Sequence, residues 1–363
     1  MIDTSKQRAL PPDIELVREL SLLFGPSGFE GEVADFIEKK IENICDSLVR
    51  DRMGNVMALI RSGDPQAADR QRVMLSAHMD EVGVMITEIC DDGLLRFDTV
   101  GGINVSVLEG RCMTLGDERG QLPAIVASKA IHHVERKDRS KANKITKLYI
   151  DMGAESKAEA EKHISVGSFG TFRSEFYLFG ENNELMKGKA LDDRMGCAAL
   201  IEVMERIYKD RPQGDLDLYF CFTVREEIGL SGAKVAANKI RPNIAIVLES
   251  TAIADLPEVS ANRRVADVGK GGALSVADRS TIYNRELIDM ALRVGKEKGI
   301  PVQLKRYVSG GNDAGSIHKS GEGVRTLALS VPTRYLHSPS CVASISDYRA
   351  VRDLTEAMIR SLG

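Results

Sequence analysis

The chain has 363 residues, enough for about two domains, and its 43% apolar and 28% charged content is that of an ordinary globular protein. A formal charge of -4 at pH 7 gives no electrostatic ground for expecting nucleic acid or an acidic membrane surface as a partner. The six cysteines are scattered without a Cys-x-x-Cys pair, the N-terminus has no apolar signal core, and no apolar run approaches the roughly 18–20 residues of a membrane span, so the expected location is cytoplasmic.

In chain order, Asp13–Leu23 has a helical pattern that runs into the breaker Gly25-Pro26-Ser27-Gly28. Glu32–Ile44 carries an apolar stripe of Val33, Phe36, Ile37, Ile41 and Ile44, which predicts a second helix. Strands are predicted at Leu48–Val49 and Val56–Ile60 around a Met53-Gly54-Asn55 turn, and at Arg72–Ala77, which ends in His78. From about Gly93 to Phe179 the texture changes to short alternating runs broken by Gly101-Gly102, Gly110, Gly116 and Gly120, with one helix at Lys157–His163. The basic stretch from Arg136 to Lys147 reads as a solvated loop. Beyond Gly188 the α/β rhythm returns with helix Arg194–Tyr208, strands Leu216–Val224 and Asn243–Leu248, and helix Asn284–Lys298. Strands Val302–Tyr307 and Val324–Val331 and a closing helix Tyr348–Leu362 complete the chain. The pattern predicts an α/β domain with helices on both faces of a sheet, formed by residues 1–90 and 181–363 and split by a β-rich insertion at 91–180.

Five stretches could carry chemistry. They are Ser76–Gly83 with His78 and Asp80, Gly188–Gly196 with Asp192 and Asp193, Arg225-Glu226-Glu227, Ala245–Thr251 with Glu249, and Arg334–Ser338 with His337. Taken singly, each has a plainer explanation. A lone histidine is more often structural, an Asp at a helix start is usually a cap, and a Glu pair after a strand is usually a solvated turn. Together they put two imidazoles and several carboxylates at the C-terminal edges of strands or the helix starts beyond them, where open α/β sheets bind ligands. That donor set suits a pair of borderline divalent metals. Two cations ~3.5–4 Å apart can polarise a carbonyl and acidify a water, with one carboxylate left over as general base. Gly269-Lys270-Gly271-Gly272 lacks the spacing of a phosphate loop, and His132, His133 and His163 fall in the insertion and read as structural.

The set resembles the co-catalytic metallo-aminopeptidases of metallopeptidase family forty-two (clan MH), which includes glutamyl, deblocking and tetrahedral aminopeptidases. The resemblance extends over Gly25-Pro26-Ser27-Gly28-Phe29-Glu30, Asp51–Asn55, Ser309–Gly315 and Pro332–Ser338. It implies a mixed-sheet α/β/α catalytic domain of the zinc-exopeptidase type, interrupted by a small PDZ-like or barrel dimerisation domain. It also implies two divalent ions per subunit, zinc or cobalt with manganese as a further option. His78 and Glu249 would hold the first metal, Glu227 and His337 the second, and Asp192 would bridge them. Glu226 corresponds to the general base, and Asp80, counted with it among the catalytic residues, to the carboxylate that orients His78. Glu249 stands where the family usually has Asp, with Asp255 as a weaker substitute, and Asn312 replaces a common Thr. The peptide after the bridging Asp is commonly cis in this fold. Short peptides are the implied substrates and a dimer-based oligomer, up to a dodecamer, the implied assembly. Another dinuclear amidohydrolase of the clan, a carboxypeptidase or deacylase, is the alternative. Some relatives carry an endoglucanase label, but glycosidase carboxyls must converge ~5–5.5 or 6.5–9.5 Å apart across a sugar, and neighbours on a strand point to opposite faces. The absence of Trp also argues against a carbohydrate groove.

Overall fold

Strand Gln71–His78 lies at the heart of a mixed sheet that has 11 strands among the described residues. Leu216–Thr223 runs parallel to it on one side and Ile244–Ala252 on the other, and Ile244–Ala252 continues parallel to Arg325–Arg334. Val56–Arg61 flanks Leu216–Thr223 antiparallel. Residues 244–251 are buried without alternation, as expected of a parallel strand covered on both faces. Helix Leu191–Lys209 packs on the sheet with Pro12–Leu22 and Ile345–Arg360, while Ser231–Ile240 and the short Ala314–Ile317 helix form a second group against it. The structure is a computed structural model that describes residues 10–133, 135–136 and 142–363; the N-terminal segment before Leu10 and the central part of the basic stretch, 137–141, lie outside the described residues. No helix of the described residues is long and apolar enough to cross a membrane.

The parallel core has a direct consequence for function. Four strands finish their run on the same edge, so the segments after His78, Thr223 and Arg334 meet there. Glu249 differs from its expected place at a strand end. The strand runs on to Ala252, because Glu249 through Ala252 keep their pairing with Ser330 through Thr333. Three other boundaries move for similar local reasons. Val302–Leu304 is shorter than the predicted strand, Lys157–Ala160 is a single turn, and the last helix begins at Ile345, where the Ser344 side chain accepts from Ser346 N–H.

The β-rich insertion closes into a six-stranded barrel in the order Gly83–Ile89, Leu95–Val100, Tyr149–Asp151, Gly120–Ala127, Cys112–Asp117, Phe169–Phe172. Its interior is a separate apolar cluster that includes Val84, Ile86, Leu115, Val126 and Ile150. The barrel therefore folds around its own core and leaves the sheet five residues after His78.

Arg194, fully buried, ties three segments to this junction. Its guanidinium donates to Met79 O at 2.6 Å, Leu20 O at 2.6 Å and Gly25 O at 3.3 Å, and Glu81 lies 3.6 Å away. Glu81 in turn accepts from the buried Lys189 ammonium at 2.5 Å. Gly25 is needed for this approach, since a Cβ there would come within 2.7 Å of the Arg194 guanidinium and 2.6 Å of Val33. Replacing Arg194 with Met removes a donor from three carbonyls, of which Leu20 O keeps Leu23 N–H and Gly25 O keeps Glu81 N–H, and leaves Lys189 as the cation beside Glu81. We expect a loss of about 3 kcal/mol or more and a fall in Tm of several degrees in a thermal melt. An unchanged Tm would show that the carbonyls find other donors.

Candidate metal centre

Each candidate residue reaches the edge by a locally constrained route. His78 is the last residue of its strand, and Asp192 and Asp193 precede the regular helix, with non-helical dihedrals and a cis peptide between them. Asp193 does the capping, since its Oδ1 accepts from Gly196 N–H at 3.2 Å. Asp192 is thus released from the plainer role open to it. Ala190, Arg225, Tyr335 and His337 all adopt left-handed φ between 47° and 58°. Such conformations are costly for non-glycine residues and cluster at sites where the surroundings force them.

The centre assembles His78, Asp192, Glu227, Glu249 and His337. His78 Nε2 lies 3.3 Å from Asp192 Oδ1 and 3.4 Å from Glu249 Oε1. His337 Nε2 lies 3.4 Å from Asp192 Oδ2 and 3.1 Å from Glu227 Oε1. The two oxygens of Asp192 therefore face two different imidazoles. Each ring is oriented from behind: His78 Nδ1 is 3.0 Å from Asp80 O, and His337 Nδ1 is 2.6 Å from Gly102 O in the barrel. A carbonyl at Nδ1 fixes the proton there and leaves Nε2 with its lone pair toward the carboxylates, the arrangement typical of metal-ligating histidine.

The Asp80 carboxylate has a different task from the one expected of it. It is 3.5 Å from His78 Nδ1, farther than its own carbonyl. Its oxygens accept Glu226 N–H at 3.0 Å and Glu227 N–H at 3.1 Å, as well as the Ser27 hydroxyl. One position earlier, Arg225 N–H donates to Glu30 at 3.2 Å. Three successive amides of the Glu-Glu turn are thus hung from two buried carboxylates. Ser27 and Glu30 come from the Gly25–Glu30 motif, whose part in the site is visible only in three dimensions.

The electrostatics are those of a cluster short of cations. Burial pushes Glu249 up to about 8, helped by Asp192 and opposed by His78. Burial likewise carries Glu226 and Asp193 well above the ordinary carboxylate range, and it raises Glu227. At His337 burial disfavours the imidazolium, but the Asp192 and Glu227 carboxylates outweigh it and push the group up to about 11. His78 is raised in the same way against its own burial, by Glu249, Asp192 and Asp80. Asp192 Oδ1 and Glu249 Oε2 are buried with no hydrogen-bond partner among the described residues. Nitrogen and oxygen donors with orphaned, inward-facing lone pairs fit divalent metal ions. Ligand atoms of His78, Asp192 and Glu227 lie within 4.8 Å of one another, and so do those of His78, Asp193 and Glu249. Asp193 enters the second group without having been singled out as a ligand; its neighbour's stronger motif match masks it in the sequence. Asp255 does not join the centre, since Arg334 holds it in a two-pronged ion pair. His318 turns its Nδ1 to Ala314 O at 2.7 Å.

A pH dependence follows. Glu249 rises from 4.5 to about 8, so its burial costs stability as pH climbs through that interval. His337 rises from 6.5 to about 11, so its favourable charge is present below 6.5 and is lost toward 11. Both groups hold protons at pH 7 that a cation must displace. Metal titration by calorimetry in buffers of different ionisation enthalpy should show proton release at pH 7 and weaker binding at pH 6 than at pH 8. Loading without proton release would contradict this charge assignment.

Comparison with known proteins agrees with the architecture. Residues 54–354 match the family profile described as M42 glutamyl aminopeptidase. The chain is 30% identical over 355 residues to the lysyl aminopeptidase of Pyrococcus furiosus, covering 96% of this chain and 97% of that one. It is 28% identical over 350 residues to the glutamyl aminopeptidase of Lactococcus lactis subsp. cremoris, covering 95% of each. Among solved structures, a TET aminopeptidase from a marine sediment archaeon of the Thaumarchaeota superposes with a TM-score of 0.91 at 34% identity, covering 96% of both chains. The Pyrococcus horikoshii TET1 peptidase, which can assemble into a tetrahedron or a large octahedral shell, gives 0.84 at 33% identity over 95% of this chain and 98% of that one. A Thermotoga maritima structure described as an endoglucanase gives 0.76 at 31% identity, covering 95% and 96%. The chain belongs to the M42 glutamyl aminopeptidase family of peptide hydrolases.

Proposed function

We propose that the protein is a dinuclear metal-dependent aminopeptidase that removes N-terminal residues from short peptides. The observation that carries this reading is the division of Asp192 between two imidazoles, His78 at one oxygen and His337 at the other. His78, Asp192 and Glu249 would hold one cation, and His337, Asp192 and Glu227 the other, with zinc or cobalt the best match to this nitrogen and oxygen set and manganese also suited. When bound, the two ions supply Lewis acidity to a scissile carbonyl and acidify a water.

The rest of the chemistry falls to the chain. Glu226, buried and raised well above the ordinary carboxylate range, is suited to take the proton of the attacking water and pass it to the leaving amine. Asp80 and Glu30 hold the turn that aims Glu226, and Asp80 O and Gly102 O keep both imidazoles in the ligating tautomer. The inserted barrel, expected over 91–180, would serve as the dimerisation domain, in line with the assembling TET peptidase it resembles. We place the protein in the cytoplasm.

Two variants separate base from ligand. Glu226→Gln should retain metal, measured by atomic emission, while turnover on aminoacyl anilides falls by roughly 10²–10⁴-fold. Near-native turnover would remove Glu226 from the mechanism. His337→Ala should bind fewer metal equivalents per subunit than the parent chain. Activity should vanish with a chelator and return on adding zinc or cobalt. Release of residues only from peptide C-termini, or hydrolysis of carboxymethyl cellulose alone, would favour the rival assignments.

A further inference from the structure

The sheet and the barrel pack around separate apolar cores, and a cavity of about 420 Å³ opens on the seam between them. That volume is within the roughly 300–1,000 Å³ of small-molecule sites, which favour such junctions. Leu22 and Phe24, at and just beyond the end of helix Pro12–Leu22, line it from the sheet side. Leu122 and Phe172 line it from the barrel. Phe24 reaches the barrel because Gly116 has no side chain: a Cβ there would come within 3.2 Å of the Phe24 ring.

The polar part of the lining is rich in donors. Lys189 is buried, and its ammonium donates to Glu81 at 2.5 Å, Leu23 O at 2.9 Å and Thr171 Oγ1 at 3.4 Å. Glu81 also lies 3.6 Å from Arg194, so two buried cations face one carboxylate. Burial lowers the Lys189 ammonium and Arg194 adds to that, against Glu81 and Glu32. Glu32 is outside the lining and accepts from the Gln121 amide at 2.7 Å. Among the described residues, no Asp or Glu lines the cavity, and the Thr114 and Thr171 hydroxyls donate to nothing. The exposed Arg173 guanidinium has neither an ion pair nor a hydrogen bond among them.

One layer of side chains separates this cavity from the metal centre. Phe172 lines it and also lines the small pocket formed by Asp192, Glu227 and His337. Glu81, the partner of Lys189, lines that pocket too, and it follows Asp80 in the chain. Lys189 precedes Asp192 by three residues, across the left-handed Ala190. A ligand that shifts Phe172, or draws Lys189 away from Glu81, therefore acts on both stretches that carry the centre.

We propose that the seam cavity is a second ligand site, built for a small carboxylate on an apolar body, and that its occupancy is coupled to metal binding. A carboxylate takes two parallel bonds from a guanidinium and further ones from hydroxyls, which are the donors left without acceptors here. The apolar body displaces water from Leu22, Phe24, Leu122 and Phe172. Two sources share this chemistry: a free apolar acid, and the C-terminus of a peptide that ends in an apolar residue. The coupling rests on the metal-centre reading above, whereas the ligand site stands without it.

The test uses zinc-loaded protein and N-acetylleucine, whose blocked amine keeps it from being an aminopeptidase substrate. Calorimetry should give a Kd of about 0.1–1 mM, and the uncharged N-acetylleucinamide should bind at least about 10-fold more weakly. Arg173→Met, and Thr114→Phe, which fills the cavity, should each weaken N-acetylleucine by about 10–100-fold. Isocaproate binding as tightly as N-acetylleucine assigns the site to free acids, and weaker binding assigns it to peptide C-termini. In zinc titrations of the stripped protein, N-acetylleucine should shift the zinc Kd by about 5-fold or more in the parent chain and leave it in place in Arg173→Met. A shift of equal size in both is chelation by the probe and overturns the coupling. Absence of binding, equal binding of acid and amide, or binding that both variants leave unchanged would overturn the site. Binding through Arg173 in a protein that takes up no zinc would keep the site and overturn the metal centre.

Discussion

Asp80 occupies the point at which the separate parts of this site are made to agree. Its carbonyl sets the His78 ring, and its carboxylate takes the amides of both Glu226 and Glu227 together with the Ser27 hydroxyl. A fully buried carboxylate costs several kcal/mol of desolvation unless it is paired and hydrogen-bonded. The donors around Asp80 offset that cost, so its carboxyl is held below the usual carboxylate range even though burial acts the other way. One residue, through its carbonyl and its carboxylate, thereby fixes the relative position of a candidate ligand at the end of one strand and of a candidate base and second candidate ligand beyond its neighbour.

The same economy explains why the Glu-Glu pair can exist. Two adjacent carboxylates at a strand end repel each other, and here burial raises both. The turn beginning at Arg225, in a left-handed conformation, separates their duties. Glu227 meets His337 at 3.1 Å, while Glu226 has no such imidazole contact among the described residues. Their difference comes from what each one faces, since their intrinsic chemistry is identical.

Much of this was legible in the sequence, for physical reasons that can be named. The apolar runs at 73–77, 216–222 and 244–248, broken by only Ser76 and Asp217, read as strands covered on both faces, and the polar residues closing them collect at one edge. The shift to short alternating segments after Gly93 pointed to a small β-unit, although the barrel already begins at Gly83 and the main sheet resumes at Tyr177. What stayed hidden depended on contacts distant in the chain. The Glu30 side chain meets the Arg225 amide across 195 positions, the Ser27 hydroxyl reaches Asp80 across 53, and Gly102 reaches His337 across 235. The extension of the Glu249 strand depends on a partner strand, and the capping role of Asp193 depends on backbone geometry that a helix-start pattern does not distinguish from that of Asp192.

The bond from His337 to Gly102 has a wider meaning for how this fold is put together. The barrel has its own core and looks like a removable cassette inserted into a finished enzyme. Yet its Gly101-Gly102 corner supplies the acceptor that orients one of the two imidazoles, and a Cβ at Gly102 would come within 3.6 Å of that ring. The cassette is therefore also a wall of the candidate metal centre. A tilt of the barrel against the sheet therefore acts on the His337 ring through Gly102 and on Glu227 through the neighbouring Gly101.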